Sequence, residues 1–305
     1  YIHQLYNRGV RAFVVDTLPS QPCPEAVFLL VPSPLAALQR LAMEHRKRFQ
    51  LPVVGIAGSN GKTTVKEWLY QMLSPDYAVV RSPRSYNSRI GVPLSVWSLA
   101  PDHQLALFEA GISQPGEMDV LEPIIRPTIG LFTGLGEAHQ EHFSSMEQKC
   151  AEKLRLFRHA QVLIYLKGNP VVDQCVRKMD FKGTLVPCVS TGNALADDME
   201  LCRALCLHMG MDRDTVDKRM ASLHPVAMRL EVLEGVRGCT IINDTYNSDP
   251  DSLFTALDFM NRRPERTNLR RTLVLSDIMQ TGITPPVLYA QVARLVRQRE
   301  VDEVL

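Results

Sequence analysis

Val53-Val54-Gly55-Ile56-Ala57-Gly58-Ser59-Asn60-Gly61-Lys62-Thr63-Thr64 is the stretch of this 305-residue chain that decides its fold. Its opening apolar, β-branched run has the character of a buried strand. A turn of small residues follows, and then Val65, Trp68, Leu69, Met72 and Leu73 recur at helical spacing. A strand, a glycine loop and a helix N-terminus aim backbone N–H groups, the positive end of the helix dipole and one lysine at a common point. That arrangement suits a polyphosphate. Gly58, Ser59, Asn60, Gly61, Lys62, Thr63 and Thr64 are therefore candidate phosphate-binding residues, with Lys62 on the β- and γ-phosphates and the Thr63 hydroxyl on magnesium. The spacing departs from the general P-loop, because Ile56 stands five positions before Gly61, where that pattern has glycine. A βα turn with an accidental Gly-Lys-Thr is the alternative, and the flanking strand and helix weigh against it.

Composition narrows the rest. A chain of 305 residues suggests two or three domains with ample core, and a net charge of +1 offers no field for nucleic acid or an anionic membrane. No apolar run reaches the roughly 18 residues of a spanning helix, and no signal peptide opens the chain. The seven cysteines form no Cys-x-x-Cys pair, and Cys202 and Cys206 share a helix face as core residues would, so a reducing cytoplasm is expected. The start at Tyr1 and the strand-like Val301–Leu305 at the other end give the expectation of a fragment.

Outward from the loop, the chain divides into three units. Residues 1–50 carry two short strands (Val10 to Val15, Ala26 to Val31) and a helix from Pro34 towards Phe49, too little for an independent core and without evident chemistry. Residues 51–229 alternate strands and helices, which predicts a mostly parallel sheet covered on both faces. In this unit Glu109 closes the strand Leu105–Phe108, on the edge where open α/β sheets place ligands, and is a candidate magnesium ligand. After the strand Thr128–Thr133 comes Glu137-Ala138-His139-Gln140-Glu141-His142, a polar cluster whose inward-pointing members the sequence does not specify. The helix that follows carries Lys149, Lys153 and Arg155; on the residues alone, lysines there are surface charges. Residues 230–305 repeat a βαβ pattern, with Asp244-Thr245-Tyr246-Asn247-Ser248-Asp249-Pro250 after the strand Cys239–Asn243 and a further strand at Thr272–Leu275.

These separated motifs, in this order, resemble those of the Mur ligases, the ATP-dependent family that builds the peptide stem of bacterial cell-wall precursors. Gly-Ser-Asn-Gly-Lys-Thr-Thr is the family's loop. Asn243-Asp244-Thr245-Tyr246-Asn247-Ser248-Asp249-Pro250 resembles the Asp-Ser-Tyr-Asn-Ala-Asn-Pro of the branch that adds D-alanyl-D-alanine, and not the Asp-Tyr-Ala-His of the branch that adds the third residue. The resemblance implies a three-domain α/β architecture: a central P-loop parallel-sheet ATPase domain at 51–229, a truncated N-terminal UDP-substrate domain at 1–50, and a truncated Rossmann-like C-terminal domain at 230–305.

Carried over to this sequence, the resemblance puts Lys62 and Thr63 on ATP phosphates and magnesium, and Glu109 on the metal. His139 and a carbamylated Lys153 would hold a second magnesium, since a free lysine is a cation and only its carbamate offers an anionic oxygen. Arg229 would reach the γ-phosphate and Asp244 the ribose. Asn87 would lie near the phosphates and the acceptor carboxylate, and Asn193 is the candidate for adenine. Lys149, one helical turn earlier on the same segment, is given no such role, and its loss should be nearly silent. One departure is Thr133-Gly134-Leu135-Gly136, where the family usually has an asparagine.

The activity implied is peptide-bond formation through an acyl phosphate, with ATP, two magnesium ions, UDP-N-acetylmuramoyl-tripeptide and D-alanyl-D-alanine as cofactors and substrates. Neither nucleic acid nor membrane is implied as a partner, and in some lineages the ligase is fused to an alanine racemase. The rivals are a folate- or cyanophycin-type amide ligase, against which the Asp244–Pro250 string argues, and a non-catalytic NTP-binding module, against which the joint presence of Glu109, His139 and Lys153 argues.

Overall fold

The computed structural model describes residues 1–136, 140–246, 248–262, 269–279 and 281–305. The N-terminal unit begins with α1 (Ile2–Asn7), which buries nothing, and continues with β1 (Ala12–Val15) and β2 (Val27–Leu30). The two strands pair in parallel, and Phe13 stacks on its register partner Phe28 with ring centroids 5.3 Å apart. Helix α2 (Pro34–Arg46) starts where Ser33 accepts the Ala36 N–H and Pro34 supplies a preset φ. Its last residue, Arg46, is buried and donates to the carbonyls of Phe49, Ile125 and Arg126, which fastens α2 to the central unit.

The central unit runs β3 (Val53–Ala57), α3 (Lys62–Leu73), β4 (Val79–Arg81), α4 (Gly91–Trp97), β5 (Leu105–Glu109), α5 (Glu117–Ile125) and β6 (Ile129–Phe132). It continues with α6 (Met146–Leu154), β7 (Val162–Lys167), α7 (Pro170–Lys178), β8 (Thr184–Val189), α8 (Ala194–His208) and α9 (Arg213–Ala221). The strands form one sheet in the order β4-β5-β3-β6-β7-β8, and every neighbouring pair is parallel.

Alternation along the strands explains the two cores. Val53, Ala57, Ala106 and Phe108 face one side with α2, α4, α5, α6 and α7, while Val54, Ile56, Leu105 and Leu107 face the other with α3, α8 and α9. A sheet buried on both faces needs the continuous apolar strands that the sequence contains. The chain leaves β3 for the β4 edge, returns through β5, and crosses to β6 on the opposite flank. The strand order therefore reverses at β3, and the crevice at its carboxyl end is the ligand position of such sheets.

The third unit holds β9 (Glu231–Glu234), β10 (Thr240–Asn243), α10 (Pro250–Asn261), β11 (Thr272–Leu273), α11 (Pro285–Gln298) and β12 (Glu303–Val304) around Leu253, Leu257, Ile278, Leu288 and Val292. Here the sequence expectation needs correction. The strand ending at Asn243 does not pair with the one at Thr272; β10 pairs antiparallel with β9, and β11 pairs in parallel with β12. A close antiparallel partner four residues long was available to β10, whereas β11 is two residues long and its register is taken by β12.

Candidate functional site

The loop from β3 to α3 closes on itself tightly. At Gly58 a β-carbon would collide with Thr133 and the backbone of Gly134, and Gly61 takes φ +82 at the N-cap of α3, a conformation that favours glycine. The strand β6 supplies the wall: Ser59 N–H donates to Gly134 O at 3.0 Å, Ser59 Oγ to Gly136 O at 3.2 Å, and Thr133 Oγ1 to Asn60 O. Thr133 and Gly136, set against family expectation by the sequence, thus act as the loop's scaffold. Lys62 curls over it and donates to Gly58 O at 2.9 Å and Ser59 O at 2.7 Å. Burial holds the Lys62 ammonium down to about 8, with Glu109 and Asp249 opposing and Arg229 and Lys149 adding to the effect.

Glu109 is fully buried at the end of β5. Its Oε2 accepts from Thr63 Oγ1 at 3.1 Å and from Asn87 Nδ2 at 3.4 Å, so three predicted site residues from three segments meet there. Its Oε1 stands 3.0 Å from Lys66 Nζ as an ion pair but receives no hydrogen bond, which leaves acceptor capacity on a buried carboxylate. Lys66, also fully buried, donates to the carbonyls of Ser82 and Arg84. A hydroxyl and a carboxylate with spare acceptor capacity form a donor set suited to a hard cation such as magnesium. Among the described residues no three His, Cys, Asp or Glu side chains converge as a metal cluster. His139 lies outside the described residues.

Lys153 is buried on α6, and its Nζ donates to Gly58 O at 3.1 Å. Burial, with Lys62 and Lys149 close by, pushes its ammonium well below the ordinary lysine range. Lys149 corrects an expectation: it is fully buried, not a solvated neighbour, and donates to Gly136 O and Gln140 Oε1. The i, i+4 spacing of 149 and 153 sets both on one helix face, a signal present in the sequence. Beside the loop opens a cavity of about 460 Å³ into which Lys62, Lys153, Asn87 and Arg89 project.

The third unit reaches this site. Asn60 Nδ2 donates to Asp249 Oδ1 at 3.4 Å, and a β-carbon on Gly136 would meet Asp251. Asp249 is buried and caps α10 by accepting from the N–H groups of Asp251 and Ser252. At the junction Arg229 lies over the Tyr246 ring at 4.1 Å, its buried Nε without a hydrogen bond, between Met228 and Leu230 at positive φ. Two left-handed non-glycine residues in one short connector store strain on the order of 1–3 kcal/mol each. Asp244 accepts the Leu230 N–H at 3.1 Å, and burial raises its carboxyl. Asn193 caps α8, its side-chain oxygen accepting from Ala196 N–H at 2.9 Å. That is a structural duty; nothing else in its contacts bears on the adenine assignment. Lys66, Lys149 and Asp249 are buried polar residues about the loop that sequence reasoning missed.

A phosphate-cradling loop, a buried carboxylate on the helix threonine and a lysine from a neighbouring helix define a P-loop nucleotide-binding domain with a second domain against its mouth. Residues 56–201, most of the central unit, match the Mur ligase middle domain. A similar protein is the UDP-N-acetylmuramoyl-tripeptide–D-alanyl-D-alanine ligase of Bacillus subtilis, 26% identical over 338 residues that take in 100% of this chain and 73% of that one. The fold is that of MurF from Acinetobacter baumannii (TM-score 0.86, 22% identity, 99% of this chain and 73% of that one). It is also that of MurF from Thermotoga maritima, solved in complex with ADP (TM-score 0.83, 22% identity, 99% and 76%). Among the described residues no helix is long and apolar enough to cross a membrane.

Proposed function

We propose that this chain carries out the reaction for which its relatives are named, the ATP-dependent joining of D-alanyl-D-alanine to UDP-N-acetylmuramoyl-tripeptide. One observation carries the proposal: Lys62, Thr63, Glu109 and Lys153 surround one loop, and Asp249 of the third unit touches that loop through Asn60. The peptide carboxylate attacks the γ-phosphorus and ADP departs; the amine then attacks the acyl phosphate carbonyl and inorganic phosphate leaves. No covalent bond to the protein is needed, so catalysis rests on alignment and charge stabilisation.

Lys62 would swing from the Gly58 and Ser59 carbonyls to the phosphates, exchanging neutral acceptors for charged ones. Thr63 and Glu109 would hold magnesium, which supplies charge neutralisation at the phosphate oxygens when bound. Lys153, whose burial favours the neutral amine, is suited to add carbon dioxide with loss of a proton and so become an anionic ligand, with His139 as its partner on a second ion. Arg229, already desolvated, would turn its planar donors to the γ-phosphate. Asn87 would orient the acceptor carboxylate, Asp244 would hold the ribose and Asn193 the adenine edge. The third unit against the loop would exclude water from the acyl phosphate. The divisions at residues 50 and 229, and a cytoplasmic location where the nucleotide-linked precursor is available, complete the proposal.

The test is phosphate release by the full chain with ATP, magnesium and both peptide substrates. Turnover should require UDP-N-acetylmuramoyl-tripeptide and D-alanyl-D-alanine together. Turnover with glutamate and a folate in their place would overturn the assignment.

A further inference from the structure

Asp198, in the second turn of α8, has no part in the chemistry above, yet its side chain lies against the phosphate loop. It is 7% exposed, and a β-carbon on Gly61 would overlap its carboxylate oxygens. Among the described residues it takes no hydrogen bond and no close ion pair. The charged groups around it are committed elsewhere. Asp197, on the same helix, accepts from Ser190 Oγ and from the Thr191 N–H and hydroxyl. Lys62, on α3, is turned to the loop carbonyls, and Arg229, from the junction, lies over Tyr246. Cys202, one turn further along α8, is a buried thiol. A buried carboxylate without a donor, beside the N–H groups that cradle phosphate, is badly placed as an anion once phosphate arrives, because like charges repel strongly in a dry site. As a neutral acid it becomes a donor instead.

We propose that Asp198 is a nucleotide-contacting residue that works in its protonated form, donating its O–H to a nucleotide oxygen beside Gly61, so that nucleotide binding draws a proton from solvent. The step balances as carboxylate plus solvent proton plus nucleotide giving a carboxylic acid hydrogen-bonded to the bound nucleotide. Burial and Asp197 push the Asp198 carboxyl up to about 8 against the opposing pull of Lys62 and Arg229, so the proton is available near neutrality. By linkage, a ligand that prefers the protonated form loses affinity as pH rises through that value.

The inference rests on reading the loop as a nucleotide site, and its test separates the two. ADP binding, with magnesium held constant, is measured calorimetrically on the full chain at about pH 7, about pH 8 and about pH 9. Two buffers of different ionisation enthalpy report proton uptake. At about pH 9 the wild type should take up close to one more proton than Asp198→Asn, whose amide mimics the neutral acid. Its affinity should also fall more steeply with pH, by up to about tenfold per unit. Lys62, held down to about 8, titrates in both proteins and interacts with Asp198, so the comparison is repeated in a Lys62→Arg background, whose guanidinium stays charged throughout and in which the difference should persist. Asp198→Ser gives the same comparison if Asp198→Asn does not fold. Equal uptake and parallel affinity curves overturn the role of Asp198 and leave the nucleotide site standing. Failure of folded wild type to bind ADP removes both.

Discussion

Thr63 Oγ1 lies 3.1 Å from Glu109 Oε2, joining the first turn of the loop helix to the end of a neighbouring strand. Through this contact the two groups proposed to hold magnesium are set before any ligand arrives, because both are held by sheet and helix, not by a loop. On the other flank of the same carboxylate stands Lys66 at 3.0 Å. Glu109→Gln keeps the shape and removes the charge, leaving the fully buried Lys66 ammonium to the partly exposed Glu67, whose Oε1 also stands at 3.0 Å. The expected result is loss of turnover together with a destabilisation of about 1–3 kcal/mol, since one of two ion-pair partners is lost. Urea unfolding checks it, and Glu109→Gln combined with Lys66→Met should recover stability without activity.

Lys62→Ala removes the loop's cation. Phosphate release should fall by about 100-fold or more, while the melting temperature holds or rises, since a desolvated ammonium is lost with it. Near-normal turnover would contradict the phosphate role.

Lys153→Ala should abolish most turnover, and added acetate or formate should restore part of it by supplying an oxygen ligand in the vacated space. Full activity without any addition would take Lys153 out of the site. Inactivity that no carboxylate relieves would argue against the carbamate.

Lys149→Ala should not be silent. Gly136 O and Gln140 Oε1 lose their buried donor, at a cost of about 1–3 kcal/mol. Gly136 O also accepts from Ser59, so turnover should fall alongside stability. A variant with unchanged melting temperature and rate would show that the lysine is dispensable.

A pH dependence of stability follows from Asp198. Its carboxyl is raised in the folded state to about 8 from an ordinary value of 3.8. Between those values the folded protein binds the extra proton, so Asp198 costs stability increasingly as pH climbs from about 4 to about 8, and the cost is constant above that. Asp198→Asn should therefore raise the melting temperature most at about pH 8 to 9 and hardly at all at about pH 4. A gain independent of pH, measured by calorimetry, would refute this.

What the sequence discloses and what it hides divide along the length scale of the interactions. The loop from Gly58 to Thr64 and the strand-end position of Glu109 are local patterns, so period, glycine placement and chain order suffice to find them. Lys66 and Asp198 are hidden because each owes its place to packing between distant segments, and a lysine inside an amphipathic helix looks like surface. Lys149 was visible, since helical spacing ties it to Lys153. The β9–β10 pairing is hidden because strands of four residues are too short to give a periodic signal, and the antiparallel choice depends on which partner lies near.

The pairing of Lys66 with Glu109 has a consequence for descent. The two positions drift unequally: loss of Glu109 leaves Lys66 its second partner, Glu67 Oε1 at 3.0 Å, whereas loss of Lys66 takes from the fully buried Glu109 its ion-pair partner. A lineage that abandoned this chemistry would shed Glu109 first, so where the loop itself has decayed a relative retaining Lys66 without Glu109 should be commoner than the reverse.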